Sequence, residues 1–253
     1  MPALTDLSEV RRRLEIDRVW AAFSLADLDE PWARHARWHG VAGSDALVLV
    51  YDAFDPPIVY IQGEDSEVES VLSAGDVRAV TARAWLNVQP GHAALVARQF
   101  ATFDARAMVR MRLDLERYPP VSGTGVVRLG PEDLDALTAL YGEDRPDFFV
   151  PSQVSDGVYF GVQEAGRLVS VAGTHVLSRS GSVAALGNVY TAPAARGRGL
   201  AAAATGAVVQ ALLAQGISTI VLNIIATNHA ARRVYERLGF VDYCVYHEGA
   251  ARR

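Results

Sequence analysis

Residues 183–203 read VAALGNVYTAPAARGRGLAAA, and this stretch decides the fold. Val183, Leu186, Val189 and Tyr190 form a short apolar run of strand type. Pro193 punctuates it, Arg196-Gly197-Arg198-Gly199-Leu200-Ala201-Ala202 follows, and a run of alanines then predicts a helix. A strand, a Gly/Arg turn and a helix start make an anion site. The first N–H groups of a helix lack internal partners, and its dipole favours negative charge there. Glycine lets a phosphate approach the backbone closely. The stretch therefore predicts a ligand that carries phosphate.

The composition narrows the field. The chain has 253 residues, half of them apolar, enough for one large or two smaller domains. A net charge of −5 argues against a general nucleic-acid binder. All 24 basic residues are Arg, which excludes a catalytic lysine, a Schiff base and a lysine-dependent phosphate loop. The single cysteine, Cys244, excludes an internal disulfide and a cysteine-based zinc site. No apolar run reaches the roughly 18–20 residues of a membrane span, and no signal-peptide pattern follows Arg11–Arg13. The expectation is a soluble, cytoplasmic protein.

Outward from the central stretch, alternating strand and helix signals fill the chain. Residues 8–28 predict one helix capped by Ser8, and 46–51 and 58–61 predict strands. Residues 64–73 predict a helix stopped by Gly75, and 77–88 a strand. Arg117 to Gly125 is the best linker, so a boundary is placed near 120, giving domains 1–120 and 121–253. A hairpin is expected around Glu164-Ala165-Gly166, a buried strand at 217–226, and a helix from Asn228 to Leu238 stopped by Gly239. LNVQPGHAALVARQFATFDARAMVRM (86–111) and LNIIATNHAARRVYERLGFVDYCVYH (222–247) align with one gap, which suggests a repeat. In it Gly91 stands for Asn228 and Arg98 for Tyr235. The Gly/Arg turn is opposed by Gln62-Gly63-Glu64-Asp65, whose acids would repel phosphate.

Two motifs of the second half resemble the GNAT-type N-acetyltransferases. One is Arg196-Gly-Arg-Gly199-Leu-Ala201 after Val189-Tyr190-Thr191; the other is Asn228 opening a helix that ends Tyr235-Glu-Arg-Leu238-Gly239-Phe240. The resemblance covers about 124–247, and the first half is similar to the degenerate N-terminal domains of two-domain, glycine acyltransferase-like members. It implies an α/β (α+β) fold with a mixed, mostly antiparallel sheet flanked by helices, plus a second, smaller domain of related fold. It also implies acetyl transfer from acetyl-CoA to a primary amine of a small molecule, with no metal and no nucleic-acid or membrane partner, in a monomer or homodimer.

On that resemblance the backbone N–H groups of Gly197 to Ala202 would take the pyrophosphate, with charge from Arg196 or Arg198. Val189, Tyr190 and Thr191 would pair with the pantetheine, and an N–H near Val189 or Tyr190 would polarise the thioester. Asn228 would bond the pantetheine, and Tyr235 would be the general acid toward the leaving thiolate. His175, Glu143 and Asp144 are candidates for the base, beside a water chain. An alternative reading is a non-catalytic acetyl-CoA-binding sensor. Gly197-x-Gly199 lacks the third glycine of a dinucleotide-binding turn.

Overall fold

The computed structural model describes residues 3–119 and 125–253. Residues 120–124, where the linker and boundary are expected, lie outside the described residues. The elements run α1 (Leu7–Leu14), α2 (Ala22–Ala26), β1 (Ala36–Gly40), β2 (Leu47–Tyr51), β3 (Ile58–Gln62), α3 (Asp65–Ser73), α4 (Gly75–Val80), β4 (Arg83–Val88), α5 (Ala93–Gln99) and β5 (Thr102–Leu113). They continue with β6 (Val126–Leu129), α6 (Leu134–Tyr141), α7 (Ser152–Asp156), β7 (Tyr159–Glu164), β8 (Arg167–Ser178), β9 (Val183–Thr191), α8 (Leu200–Ala214), β10 (Thr219–Ile225), α9 (His229–Arg237) and β11 (Phe240–Arg252).

The chain divides into two compact units: residues up to Arg110 together with Cys244–Arg253, and Met111–Tyr243. Each is a mixed, mostly antiparallel sheet flanked by helices, as expected. In the first unit β1, β2 and β3 pair antiparallel, β3 and β4 pair parallel (Val59 opposite Leu86), and β4 pairs antiparallel with β11 (Asn87 opposite Glu248). Val48, Val59, Ile61, Leu86 and Ala251 of these strands pack with Val68, Leu72, Val77 and Leu95 of the helices. In the second unit β6, β7, β8 and β9 pair antiparallel, and β9 and β10 pair parallel. Both units therefore carry an antiparallel run that leads into one parallel pair, with two helices (α3, α4) between the parallel strands in the first unit, one (α8) in the second, and a further helix after each pair. Among the described residues no helix is long and apolar enough to cross a membrane.

Two stretches depart from the sequence expectation. Residues 77–88 are not one strand: α4 begins at Gly75, and only 83–88 is extended. Val77 joins the helix-side core, and Thr81 Oγ1 donates back to Val77 O at 2.8 Å, closing the helical turn. Residues 8–28 are not one helix. Asp17 accepts from Trp20 N at 3.0 Å, a local side-chain turn that competes with helix continuation. The cap of α1 is Asp6, which accepts from Ser8 N and Glu9 N, and not Ser8.

The last residue locks the first unit. Arg253 donates to Gln99 O (3.1 Å), Gln99 Oε1 (2.9 Å), Leu72 O (2.9 Å) and Thr81 Oγ1 (3.0 Å), and its guanidinium lies 4.6 Å from the Phe100 ring centre. One cation thus satisfies polar groups from the ends of α3, α4 and α5. Hydrogen bonds to charged groups contribute about 1.5–3 kcal/mol. Arg253→Ala is expected to lower unfolding stability by about 2 kcal/mol, read as a shift in the urea midpoint at unchanged slope.

Candidate active site

The site is built where β9 stops pairing with β10. The parallel register runs from Val183 opposite Thr219 to Leu186 opposite Leu222 and ends there. Yet β9 continues to Thr191 and β10 to Ile225. Beyond Leu186 the two strands face each other without a ladder, so main-chain groups on that side of β9 are left for another partner. On its other side β9 stays on β8 but slips register, from Gly187 opposite Gly173 to Tyr190 opposite Val171. The extra residue is a β-bulge, and Asn188 within it has φ +55°. A second slip lies between Thr174 and Val176, around His175.

The turn after β9 has the backbone that its glycines allow. Gly197 and Gly199 stand at φ +77° and +79°, where a Cβ is strained. A Cβ added at either would meet nothing within 4 Å, so open space faces the turn. Gly199 is the N-cap of α8 without a side-chain cap, and no acid lies in the first turn. The first amides of α8 therefore keep their positive end for a ligand.

The two arginines differ. Arg198 is bound bidentately by Glu164 (3.0 and 2.5 Å), which raises its pKa and lowers that of Glu164. Arg196 donates Nε to Thr191 O (3.0 Å) and lies 5.8 Å over the Tyr190 ring, with no carboxylate partner among the described residues. Arg196 is thus the cation of this turn still open to an anion.

Asn228 caps α9, its Oδ1 accepting from Ala231 N at 3.0 Å, which leaves its amide nitrogen to meet a ligand. Tyr235 is buried on α9 against Phe240, with ring centres 6.0 Å apart. Burial pushes its pKa up to about 12, so the phenol stays protonated at any neutral pH. Burial pushes His175 down to about 4, and its ring fills the space over Gly187, where a Cβ would lie 1.7 Å from Cδ2. A neutral imidazole with so low a pKa is a weak base, which disfavours His175 as the proton acceptor. Asp144 accepts from the Tyr190 hydroxyl at 2.8 Å, and this bond raises the Tyr190 pKa.

A buried polar group behind β9 escaped the sequence reading. Asn188 Nδ2 donates to Gln153 Oε1 (2.9 Å) and Tyr159 OH (2.6 Å), and Tyr141 OH donates to Asn188 O (2.9 Å). The one signal was the Gly187-Asn188 pair, which breaks a strand pattern from inside. Gln153, Tyr159 and Tyr141 gave none.

The corresponding place in the first unit is differently filled. There β3 leads through Gly63, at φ +110°, into α3, which starts with Asp65 and Glu67. Asp65 Oδ1 lies 2.7 Å from His92 Nδ1, and Ser44 Oγ donates to Glu67 Oε2 at 2.8 Å.

Comparison with known proteins agrees with this geometry. Residues 130–240 match the model of the acetyltransferase (GNAT) family. A stretch of 100 residues is 37% identical to a mycothiol acetyltransferase of Paenarthrobacter aurescens, covering 38% of this chain and 30% of that protein's length. A Drosophila protein of known structure is similar in fold over 100% of this chain and 98% of its own (TM-score 0.73, 16% identity). A tandem GNAT protein from the clavulanic acid biosynthesis pathway is similar over 98% of this chain and 97% of its own (TM-score 0.60, 16% identity). Residues 130–240 are thus similar in sequence to the GNAT acetyltransferase family, and the chain spans less than a third of the length of the mycothiol acetyltransferase it matches.

Proposed function

We propose that the second unit transfers the acetyl group of acetyl-CoA to a primary amine of a small molecule. The observation that carries this reading is the end of the β9–β10 ladder beside an uncapped, acid-free helix start. The residues present fit acetyl-CoA: a slot with free main-chain groups suits a pantetheine, and amides facing open space suit a pyrophosphate. When bound, acetyl-CoA supplies the acyl group as an activated thioester. Val189 to Thr191 would pair with its arm. The amides of Gly197 to Ala202, with Arg196, would hold its phosphates. A main-chain N–H of Val189 or Tyr190 would polarise the carbonyl.

Asn228 would bond the pantetheine through Nδ2, and Tyr235 would protonate the departing thiolate. Arg198, held by Glu164, would shape the turn rather than meet the ligand. In the first unit the acids of α3 occupy the corresponding helix start, which supports one acetyl-CoA per chain and a degenerate partner domain. The acceptor panel should include the mycothiol-type substrates of the similar protein. A chain that binds acetyl-CoA but releases no thiol with any amine would instead be the sensor.

Titration calorimetry is expected to give one acetyl-CoA site per chain. Gly199→Ala puts a Cβ at a left-handed position facing the ligand. It should raise the acetyl-CoA Kd about tenfold, equivalent to ~1.4 kcal/mol. An unchanged Kd would remove the turn from the site. Tyr235→Phe is expected to lower kcat about 10²-fold with little change in KM for acetyl-CoA, measured by thiol release. The acid is active when protonated, and its pKa is raised to about 12. The alkaline side of the wild-type pH profile should therefore show no Tyr235-dependent fall through pH 10; a fall at lower pH that vanishes in Tyr235→Phe would contradict the assignment.

A further inference from the structure

The bulge of β9 is held by side chains that no step of the proposed reaction uses. Asn188 is 4% exposed, and its positive φ is unusual for any residue but glycine. Both protons of its Nδ2 are committed, to Gln153 Oε1 and Tyr159 OH. Turning the amide over would set Oδ1 against the Gln153 oxygen, so its orientation is fixed. Gln153 is itself wired: Nε2 donates to Phe148 O and His175 O (3.2 Å each), and Oε1 also accepts from Val150 N (3.2 Å). Tyr159 OH itself donates to Thr174 O (3.1 Å). Tyr141 OH holds the Asn188 carbonyl. Burial keeps both phenols protonated, so they remain donors. The segment 148–153 and strand β8 are thereby tied to one residue of β9.

We infer that Asn188 is a positioning residue for acyl transfer: its ties to Gln153, Tyr159 and Tyr141 hold the bulge so that the following main-chain N–H, of Val189 or Tyr190, meets the thioester carbonyl. This rests on the proposed reading that β9 receives the acyl donor. A bulge left to itself can relax toward regular pairing with β8, which would turn those amides into the ladder. Asn188 prevents this in two ways. Its backbone tolerates the left-handed region, because Asn is among the few residues that do. Its side chain then clamps that conformation to α7 and β7, and its carbonyl is engaged by α6.

The clamp is also a link. The segment between α6 and β7 carries Gln153 on α7, and Asp144 of the same segment holds Tyr190 two residues past the bulge. A displacement of that segment is felt at the residues proposed to polarise the carbonyl. Asn188 Oδ1, buried and without a partner among the described residues, leaves the link to the two Nδ2 bonds and the carbonyl.

The test reads the amides directly and needs no acceptor. In ¹⁵N-labelled protein, CoA and acetyl-CoA are titrated separately and amide shifts compared. The wild type is expected to show CoA-induced shifts at Gly197 and Gly199, and a further downfield shift at Val189 or Tyr190 with acetyl-CoA only. Asn188→Gly keeps the positive φ and removes the side-chain ties. It should retain the Gly197 and Gly199 shifts and lose the acetyl-specific one. If Asn188→Gly keeps the acetyl-specific shift at full size, the assignment to Asn188 is overturned while the reading of β9 stands. If the wild type itself shows no acetyl-specific shift there, the reading of β9 fails and the inference with it. Should Asn188→Gly not fold, Tyr159→Phe decides: it removes one Nδ2 acceptor at constant shape, and an undiminished acetyl-specific shift would overturn the assignment.

Discussion

The structure of the second unit turns on one constraint: β9 has two sides and gives them different partners. Toward β8 it is paired along its length, with two register slips, one at Asn188 and one around His175. Toward β10 it is paired only as far as Leu186. Main-chain groups of a strand that leaves its neighbour find their hydrogen bonds elsewhere, and half-buried Val189 to Thr191 can take them from water or from a ligand. The turn 196–199 and the start of α8 follow immediately, which sets an uncapped, acid-free helix start next to the unpaired side of β9.

The same constraint explains the difference between the units. Each contains a strand, a glycine at positive φ, and a helix start beside a parallel pair. A helix N-terminus attracts negative charge whether from ligand or chain. In α3 the chain supplies its own, with Asp65 and Glu67 in the first turn and His92 against Asp65. In α8 no acid is present, and Glu164 has drawn Arg198 aside while leaving Arg196 unpaired with any carboxylate among the described residues. One unit is internally neutralised and the other is left open by a few charges, on the same topology.

The bulge of β9 is tied by buried polar side chains from three other elements. Asn188, Gln153, Tyr159 and Tyr141 come from β9, α7, β7 and α6. Their bonds are buried, where low dielectric strengthens each and makes a missing one costly. Tyr190 adds a bond to Asp144 at the exposed edge of the same strand. The segment between α6 and β7 is thus not a free surface loop but part of the support of β9.

Much of this was legible in the linear order of residues. The Gly/Arg turn and the alanine-rich helix, the hairpin at Ala165-Gly166 with both at positive φ, the cap at Asn228 and the alternating strands all rest on neighbours a few positions apart. Local propensity and helix-end electrostatics act over that range, so sequence suffices. It failed where distant chain competes. Val77 became helical because a core formed by Val68, Leu72 and Leu95 received it. The strand after Cys244 joined the first unit because β4 there offers an open edge to it. Arg198 met a hairpin tip 34 residues away, and Asn188 met Gln153 35 residues away. Pattern and turn chemistry are local, and they determined the elements and the glycine turn before α8. Hydrogen-bond satisfaction and packing act through space, and only the tertiary structure could decide which arginine stays open and what holds β9 in its bulged form.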